Sequence, residues 1–356
     1  PRSAPASRGR PLRAAPACAP GAPAPRSGAK PNPEGGAPAV AKTVLLTEPI
    51  HPDGRAVLEA AGLAIRELPA PTPEAFAEAA PAAAAILVRV MKLPEALLGP
   101  LNALEVVSRH GVGCDNVAVD HCSARGIPVA IAADANARSV AEHTLALMLA
   151  GARNLLAHDR ATRAGDWAAR VANGRDSFEL AGKTLLVIGV GRVGSRVARL
   201  ARAFEMRVLG HDKYRAELPE GVEPAPDLDA ALAEADVIAV HVPLTEETRG
   251  LLGAERLARL KPTAHVVNAA RGNIVDEAAL LARPPAFYGA DVFREEPPGA
   301  GDPLLAHGPS LLTPHVAAMT HESMRAMAVQ AAGNVVAALE GRLDPAVVFN
   351  RAALGL

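Results

Sequence analysis

The stretch TLLVIGVGRVGSRVARLA, residues 184–201, constrains the fold more than any other. An unbroken apolar run leads straight into Gly189, Gly191 and Gly194, and apolar residues then recur at helical spacing. A buried strand that turns tightly into an amphipathic helix satisfies both patterns. Gly189 permits the turn, Gly191 lets the backbone approach a pyrophosphate, and Gly194 lets the helix pack on the strand. The helix N-terminus offers unpaired N–H groups and a partial positive charge to an anion. The next apolar run, 206–210, is followed by Asp212, 18 residues beyond Gly194. A carboxylate there accepts both ribose hydroxyls of an adenosine and repels a 2′-phosphate, so NAD is the expected cofactor. Lys213 and Arg215 follow and would soften that preference.

The surrounding chain alternates in the same way. Runs at 43–47, 82–88, 104–108 and 127–131 read as buried strands separated by helical patterns such as 52–62, which Gly62 closes. A second series, 184–189, 206–210, 236–242, 265–270, 288–293 and 310–313, supplies six strands for a dinucleotide-binding domain. Strands alternating with helices predict α/β architecture with parallel sheets. Two long helices are expected. One spans 139–156, opened by a Ser139–Glu142 capping box and apolar nearly all round, which suits burial between domains or subunits. The other spans 320–341 with Thr320 as N-cap.

Residues 1–41 differ from this pattern. Residues 1–40 hold ten prolines, five arginines and a single acid, Glu34. Such a composition cannot offset its chain entropy and is expected to be disordered. It reads as an upstream extension in preference to an organelle transit peptide. Across 356 residues the formal net charge is −1, with no basic block to recommend nucleic acid. No apolar stretch is long enough to predict a membrane span. Three scattered cysteines form neither a disulfide framework nor a zinc pattern, which fits a reducing, cytoplasmic setting. No spacing of His, Asp and Glu reads as a metal site.

Three segments fall at predicted strand C-termini, where open α/β sheets bind ligands. They are NAARGNIVDEAAL with Arg271, ADVFREEPP with Asp291 and Glu296, and TPHVAA with His315. Reducing a 2-keto acid requires a held carboxylate, a polarised carbonyl and a proton delivered as hydride arrives. Arg271 has the planar fork for the first two tasks. His315 is the candidate acid/base, and Glu296 the partner that fixes its tautomer and favours the imidazolium; Glu295 competes for that place. His110, His121, His143, His241 and His321 have no arginine and acid on neighbouring strand ends and read as structural.

Together with SRHGVGCDNV (108–117), SVAEHTLALML (139–149), GVGRVGS (189–195) and HVPLTEETRGLL (241–252), these segments resemble the D-isomer-specific 2-hydroxyacid dehydrogenases from about Lys42 to Asn350. The resemblance implies two doubly wound parallel-sheet domains, a Rossmann NAD-binding domain inserted in a flavodoxin-like substrate domain. Residues 42–138 with 319–356 would form the substrate domain, and 139–318 the NAD domain. It implies Arg271, Glu296 and His315 as catalytic residues acting on a small D-2-hydroxy or 2-keto acid. Beside the three glycines, Arg192, Val193, Asp212, Val242, Pro243, Ala269, Ala270 and Asp291 would line the NAD site, Asp291 near the nicotinamide amide. Substrate would meet the backbone at Val90 and Met91 and the turn of Gly111, Val112 and Gly113. A homodimer built largely on the NAD domains is also implied.

The chain departs from the family pattern in three places. The stretch PPAFYG (284–289) replaces a longer helix and turn, between Arg271 and Glu296. The stretch VAIAADANA (129–137) lacks an Asn-Thr-Pro often found there. Val90 and Met91 stand where small or polar residues are frequent, and an apolar wall disfavours a phosphorylated substrate. The regulatory domain of longer phosphoglycerate members is not expected. Two other readings fit the same fold: an NAD-sensing corepressor-like binding protein, and a formate-dehydrogenase-like enzyme, against which Glu296 speaks because a glutamine is expected beside the histidine.

Overall fold

The computed structural model describes residues 41–175 and 177–356. The tail expectation lies, apart from Ala41, outside the described residues. The described chain forms two parallel sheets, each in its own α/β domain. In the first, β1 (Thr43–Leu46), β2 (Ala64–Glu67), β3 (Ala83–Val88), β4 (Val106–Arg109) and β5 (Val129–Ile131) run in the order β2-β1-β3-β4-β5. In the second, β6 (Thr184–Ile188), β7 (Arg207–His211), β8 (Glu223–Pro224), β9 (Val237–Val240), β10 (His265–Asn268), β11 (Phe287–Ala290) and β12 (Ser310–Leu312) run β12-β11-β10-β9-β6-β7-β8. Strand order reverses between β1 and β3, and again between β6 and β9. Crevices open at the C-terminal ends of such switch points.

Sequence accounts for the sheets directly. The central strands are apolar on both faces because helices cover both. Leu186 and Ile188 of β6 enter one core cluster while Leu185 and Val187 enter the other. In β1, Leu45 and the pair Val44 and Leu46 divide in the same way. Two strands escape the sequence reading. β2 (AIRE) is an edge strand with no buried residue, and β8 contributes two exposed residues, Glu223 and Pro224. β8 is the third strand of the dinucleotide-binding order, so the sheet has seven strands where six are predicted.

The predicted helix 139–156 is two helices, Ala137–Ala152 and Leu155–Arg163, separated by Asn154 in the left-handed region at φ 48°. Ser139 is not its cap. It lies buried within the first turn, and its hydroxyl donates to the Ala317 carbonyl at 2.5 Å. The helix His321–Leu339 does begin at Thr320, whose hydroxyl accepts from Ser323 N. It packs on the first sheet, where Ser108 Oγ donates to Ala331 O at 2.8 Å and Asn334 Nδ2 to Ile131 O at 3.0 Å. Asn350 then ties the chain end to β5 through Val129 N at 2.9 Å. At Gly54 a Cβ would approach the Ala328 backbone to 2.7 Å, so the glycine lets helix Pro52–Ala60 lie directly on this helix.

The short PPAFYG connection is absorbed without a register error. The helix Glu277–Ala282 ends two residues before the connection begins, and β11 pairs with β10 from His265↔Phe287 to Asn268↔Ala290.

Candidate active site

The glycine loop lies at the switch point of the second sheet. Gly189 has φ +91°, and a Cβ there would lie 2.7 Å from the His241 carbonyl and 2.9 Å from Val242 Cγ1. Only glycine fits, and Val242 is thereby fixed beside the loop. At Gly194 a Cβ would come within 3.0 Å of the Gly189 backbone carbon, so this glycine serves helix-to-strand packing. Gly191 differs: a Cβ there would meet no protein atom within 4 Å. The space beside it is free for an outside group. Gly191 caps helix Arg192–Ala203 with no side-chain hydrogen bond, and Ser195 N is the first amide bonded back into the helix, at 3.0 Å to Gly191 O. The amides of Arg192, Val193 and Gly194 therefore remain available to an anion.

Asp212 stands at the end of β7. Its Oδ2 accepts from Val190 N at 2.8 Å and its Oδ1 from Tyr214 N at 3.0 Å, which leaves lone pairs on both oxygens. The two nearby cations are committed elsewhere. Lys213 pairs with Glu247 at 2.5 Å, and Arg215 donates to Val190 O at 2.6 Å and Ser195 Oγ at 3.0 Å. The Arg192 side chain pairs with Asp134, which follows β5 of the first sheet, at 2.7 Å. These features fit the adenosine diphosphate half of a dinucleotide.

Arg271, Glu296 and His315 come together at the ends of β10, β11 and β12. His315 Nδ1 lies 2.7 Å from Glu296 Oε2, and Glu296 Oε1 accepts from Phe293 N at 3.1 Å. Burial pushes the Glu296 carboxyl up, but its bond to His315, the charges of His315 and Arg271, and the Phe293 amide outweigh that and hold it below its ordinary value. A carboxylate held ionised makes Nδ1 the donor, leaving Nε2 with no protein partner among the described residues. Burial pulls histidines the other way: the competing His110 and His241, and His265 in β10, fall to about 4 and stay neutral at physiological pH.

Each of the three turns is held from within. Asn268, buried at the end of β10, donates to Arg271 O at 2.8 Å and accepts from Ala270 N at 3.0 Å, which shapes the turn Ala269–Ala270–Arg271. At Gly272 a Cβ would overlap the Phe293 carbonyl and come within 2.5 Å of Arg294 N. That glycine lets the Arg271 turn lie against the Glu296 turn. His315 has φ 52°, a conformation costing about 1 kcal/mol or more for a non-glycine residue. Asp291 holds it there. Its carboxylate is 1% exposed. Oδ1 accepts from Thr313 Oγ1 at 2.6 Å and Val316 N at 2.9 Å, and Oδ2 from Ala317 N at 2.8 Å. The group points into the His315 turn.

The loop expected on the substrate side is bonded to an acid of the chain itself. The amides of Val90 and Met91 both donate to Glu48 Oε1, at 2.9 and 2.7 Å, and Arg89 N donates to Oε2 at 3.0 Å. Glu48, 7% exposed at the end of β1, already fills the nest assigned to substrate. Met91 is buried in the core of the first sheet, so only Val90 is left as an apolar wall, 73% exposed. The turn of Gly111, Val112 and Gly113 does reach the trio: a Cβ on Gly113 would lie 2.9 Å from Arg271 Cζ. Glu48, Asp115, Asn116, Asn268 and Thr313, which bond these turns together, were not singled out in the sequence. Asp115, Asn116 and Asn268 lie inside quoted motifs, whereas an acid after an apolar strand, as at Glu48, carries no distinguishing signal.

Residues 145–317 match the family described as D-isomer specific 2-hydroxyacid dehydrogenase, NAD binding domain. A glyoxylate reductase of Korarchaeum cryptofilum is 37% identical over 292 residues, covering 76% of this chain and 87% of that protein. The chain belongs to the D-isomer specific 2-hydroxyacid dehydrogenase family. The family's NAD(P)-binding domain is the one built on the second sheet. A D-3-phosphoglycerate dehydrogenase of Methanocaldococcus jannaschii is 38% identical over 316 residues, 86% of this chain; the chain spans 59% of that relative's length. Among solved structures of the family, the D-lactate dehydrogenase of Aquifex aeolicus complexed with NAD and lactic acid matches with a TM-score of 0.74 and 29% identity, covering 85% of this chain and 96% of that one.

Proposed function

We propose that the chain is an NAD-preferring oxidoreductase that exchanges a hydride between the cofactor and C2 of a small D-2-hydroxy or 2-keto acid. The observation that carries this reading is the His315–Glu296 pair at 2.7 Å, with the Arg271 charge acting on the same carboxylate. NAD held by the Gly189–Gly194 loop and Asp212 supplies the hydride acceptor or donor. Glu296 keeps the His315 hydrogen on Nδ1, so Nε2 is the atom that exchanges a proton with substrate. It donates to the carbonyl oxygen in reduction and accepts the hydroxyl proton in oxidation. Arg271 binds the substrate carboxylate through its terminal nitrogens. The commitment of Lys213 and Arg215 supports NAD over NADP, because neither is free to meet a 2′-phosphate. The first sheet with the C-terminal helix would serve as substrate domain, residues 42–138 plus 319–356, and 139–318 as NAD domain.

We further propose a homodimer. Leu155, Trp167 and Val171 are 52%, 69% and 56% exposed in and beside the two helices that follow Ala137–Ala152. Nearby, a cavity of about 660 Å³ opens by Gly151, Leu156, Phe178 and Phe287. A second copy covering this face would bury that surface. Among the described residues no helix is long and apolar enough to cross a membrane. The free, buried Cys114 and Cys122 support a reducing, cytoplasmic setting.

The test is NADH oxidation over glyoxylate, hydroxypyruvate, pyruvate and 3-phosphohydroxypyruvate, with light scattering for the mass. Turnover with a non-phosphorylated keto acid, abolished in His315→Ala and Arg271→Ala while NADH still binds, is expected. NADH binding without turnover of any of the four would refute the reading.

A further inference from the structure

Arg271 is gripped from the opposite sheet. Its Nε donates to Asp115 Oδ2 at 2.8 Å, and its Nη1 donates to the Ala270 carbonyl at 2.7 Å. A guanidinium carries five N–H donors in a fixed plane. These two bonds use the side-on donor at Nε and one hydrogen on Nη1. The end-on edge, formed by Nη1 and Nη2, keeps a donor on each nitrogen. A carboxylate binds a guanidinium best along such an edge, through two parallel hydrogen bonds.

Asp115 is a fixed point, although its own side chain is half exposed. Its segment is laced to the loop after β3. Leu93 N donates to Asn116 O at 2.7 Å and Ala118 N to Leu93 O at 2.9 Å. Asn116 Nδ2 donates to Met91 O at 2.8 Å, and Asn116 Oδ1 accepts from Arg109 Nε at 3.0 Å. That loop is in turn closed by the three amides on Glu48. The chain also makes room for the contact. At Gly113 a Cβ would overlap Arg271 Nη2 and come within 2.9 Å of Asp115 Oδ2. No other charged side chain bonds to Arg271 among the described residues.

We propose that Asp115 is a positioning residue: by taking the side-on edge of Arg271 it turns the end-on edge toward the substrate carboxylate. The proposal rests on the role given to Arg271 above. It assigns the sheet opposite the cofactor a part in orienting the anion-binding group, carried by one carboxylate and one missing Cβ. The opposite possibility has a different signature. If Asp115 occupied the edge that substrate needs, it would compete with substrate, and removing it would tighten binding.

The experiment compares wild type, Asp115→Ala, Asp115→Asn and Gly113→Ala. It reads KM and kcat for the best keto acid, calorimetric binding of oxamate in the presence of NADH, NADH affinity by fluorescence, and melting temperature. Asp115→Ala is expected to raise KM and weaken oxamate at least tenfold, with NADH affinity unchanged. Asp115→Asn, whose Oδ1 can still accept from Nε, is expected to recover most of that loss. Gly113→Ala, whose added Cβ meets only the side-chain ends of Arg271 and Asp115, should reproduce the KM increase with melting preserved. Tighter oxamate binding in Asp115→Ala, unchanged KM, or an asparagine as damaged as the alanine would overturn the proposal. Should Asp115→Ala fail to fold, Asp115→Asn and Gly113→Ala decide it. A wild type inactive on every keto acid sinks the functional reading and this one together, whereas an active wild type with indifferent variants sinks this one alone.

Discussion

Replacing Gly272 by alanine tests how the catalytic turns are held against each other. The added Cβ would lie 2.5 Å from Arg294 N and overlap the Phe293 carbonyl. Ordinary contact for a carbon begins at about 3.5 Å, so one turn must retreat by about 1 Å. Both obstacles are backbone, and no rotamer relieves them. Moving residues 269–274 carries Arg271 away; moving 291–296 carries Glu296, and His315 with it. Overpacking of this kind costs about 1–3 kcal/mol. A misplacement of about 1 Å at reacting groups costs on the order of a hundredfold in rate. The measurements are steady-state kcat/KM in NADH oxidation and the melting temperature. Lowered stability and a kcat/KM reduced about a hundredfold are expected. A kcat/KM within threefold of wild type would falsify the claim that the Gly272 approach sets the trio.

Asp212→Ala should raise the NADP-to-NAD ratio of kcat/KM at least tenfold, because the nearby cations are already bonded and Asp212 alone repels a 2′-phosphate; an unchanged ratio would separate Asp212 from the ribose. Asp291→Ala removes the acceptor for a hydroxyl and two amides, and urea unfolding should show a loss of about 3 kcal/mol or more together with lost turnover. Stability should also depend on acid. Burial holds His110 and His265 neutral down to about 4, while unfolding returns them to about 6.5. The unfolded chain therefore binds protons the fold refuses. Their contribution is whole above pH 6.5 and drains as pH falls toward 4, at up to about 2.7 kcal/mol per pH unit from these two groups. Urea midpoints at pH 7.5, 6 and 5 check this, and a flat series would contradict it.

The parts legible in the sequence were those with a strong local signal. Runs such as LLVI announce a strand covered on both faces, and Gly189, Gly191 and Gly194 announce a turn that no other residue type fits so well. The trio was legible because each member ends an apolar run. β2 and β8 were not, since AIRE and the Glu223–Pro224 pair carry no burial pattern; their pairing comes from the neighbouring strand. Ser139 imitated a capping box because S-x-x-E records spacing alone, whereas the hydroxyl is taken by Ala317 from another part of the chain. Glu48 went unread for a related reason: an acid after an apolar strand carries no pattern, and only the fold shows the three amides that converge on it.

The Glu48 arrangement has a consequence for how this scaffold can diversify. The Glu48 carboxyl saturates the peptide donors of the loop after β3, so that loop is tied down before anything arrives. Exchange at that single position for an uncharged side chain would bare three convergent amides to outside oxyanions. Substrate range could then drift toward more acidic molecules while hydride and proton transfer stayed intact.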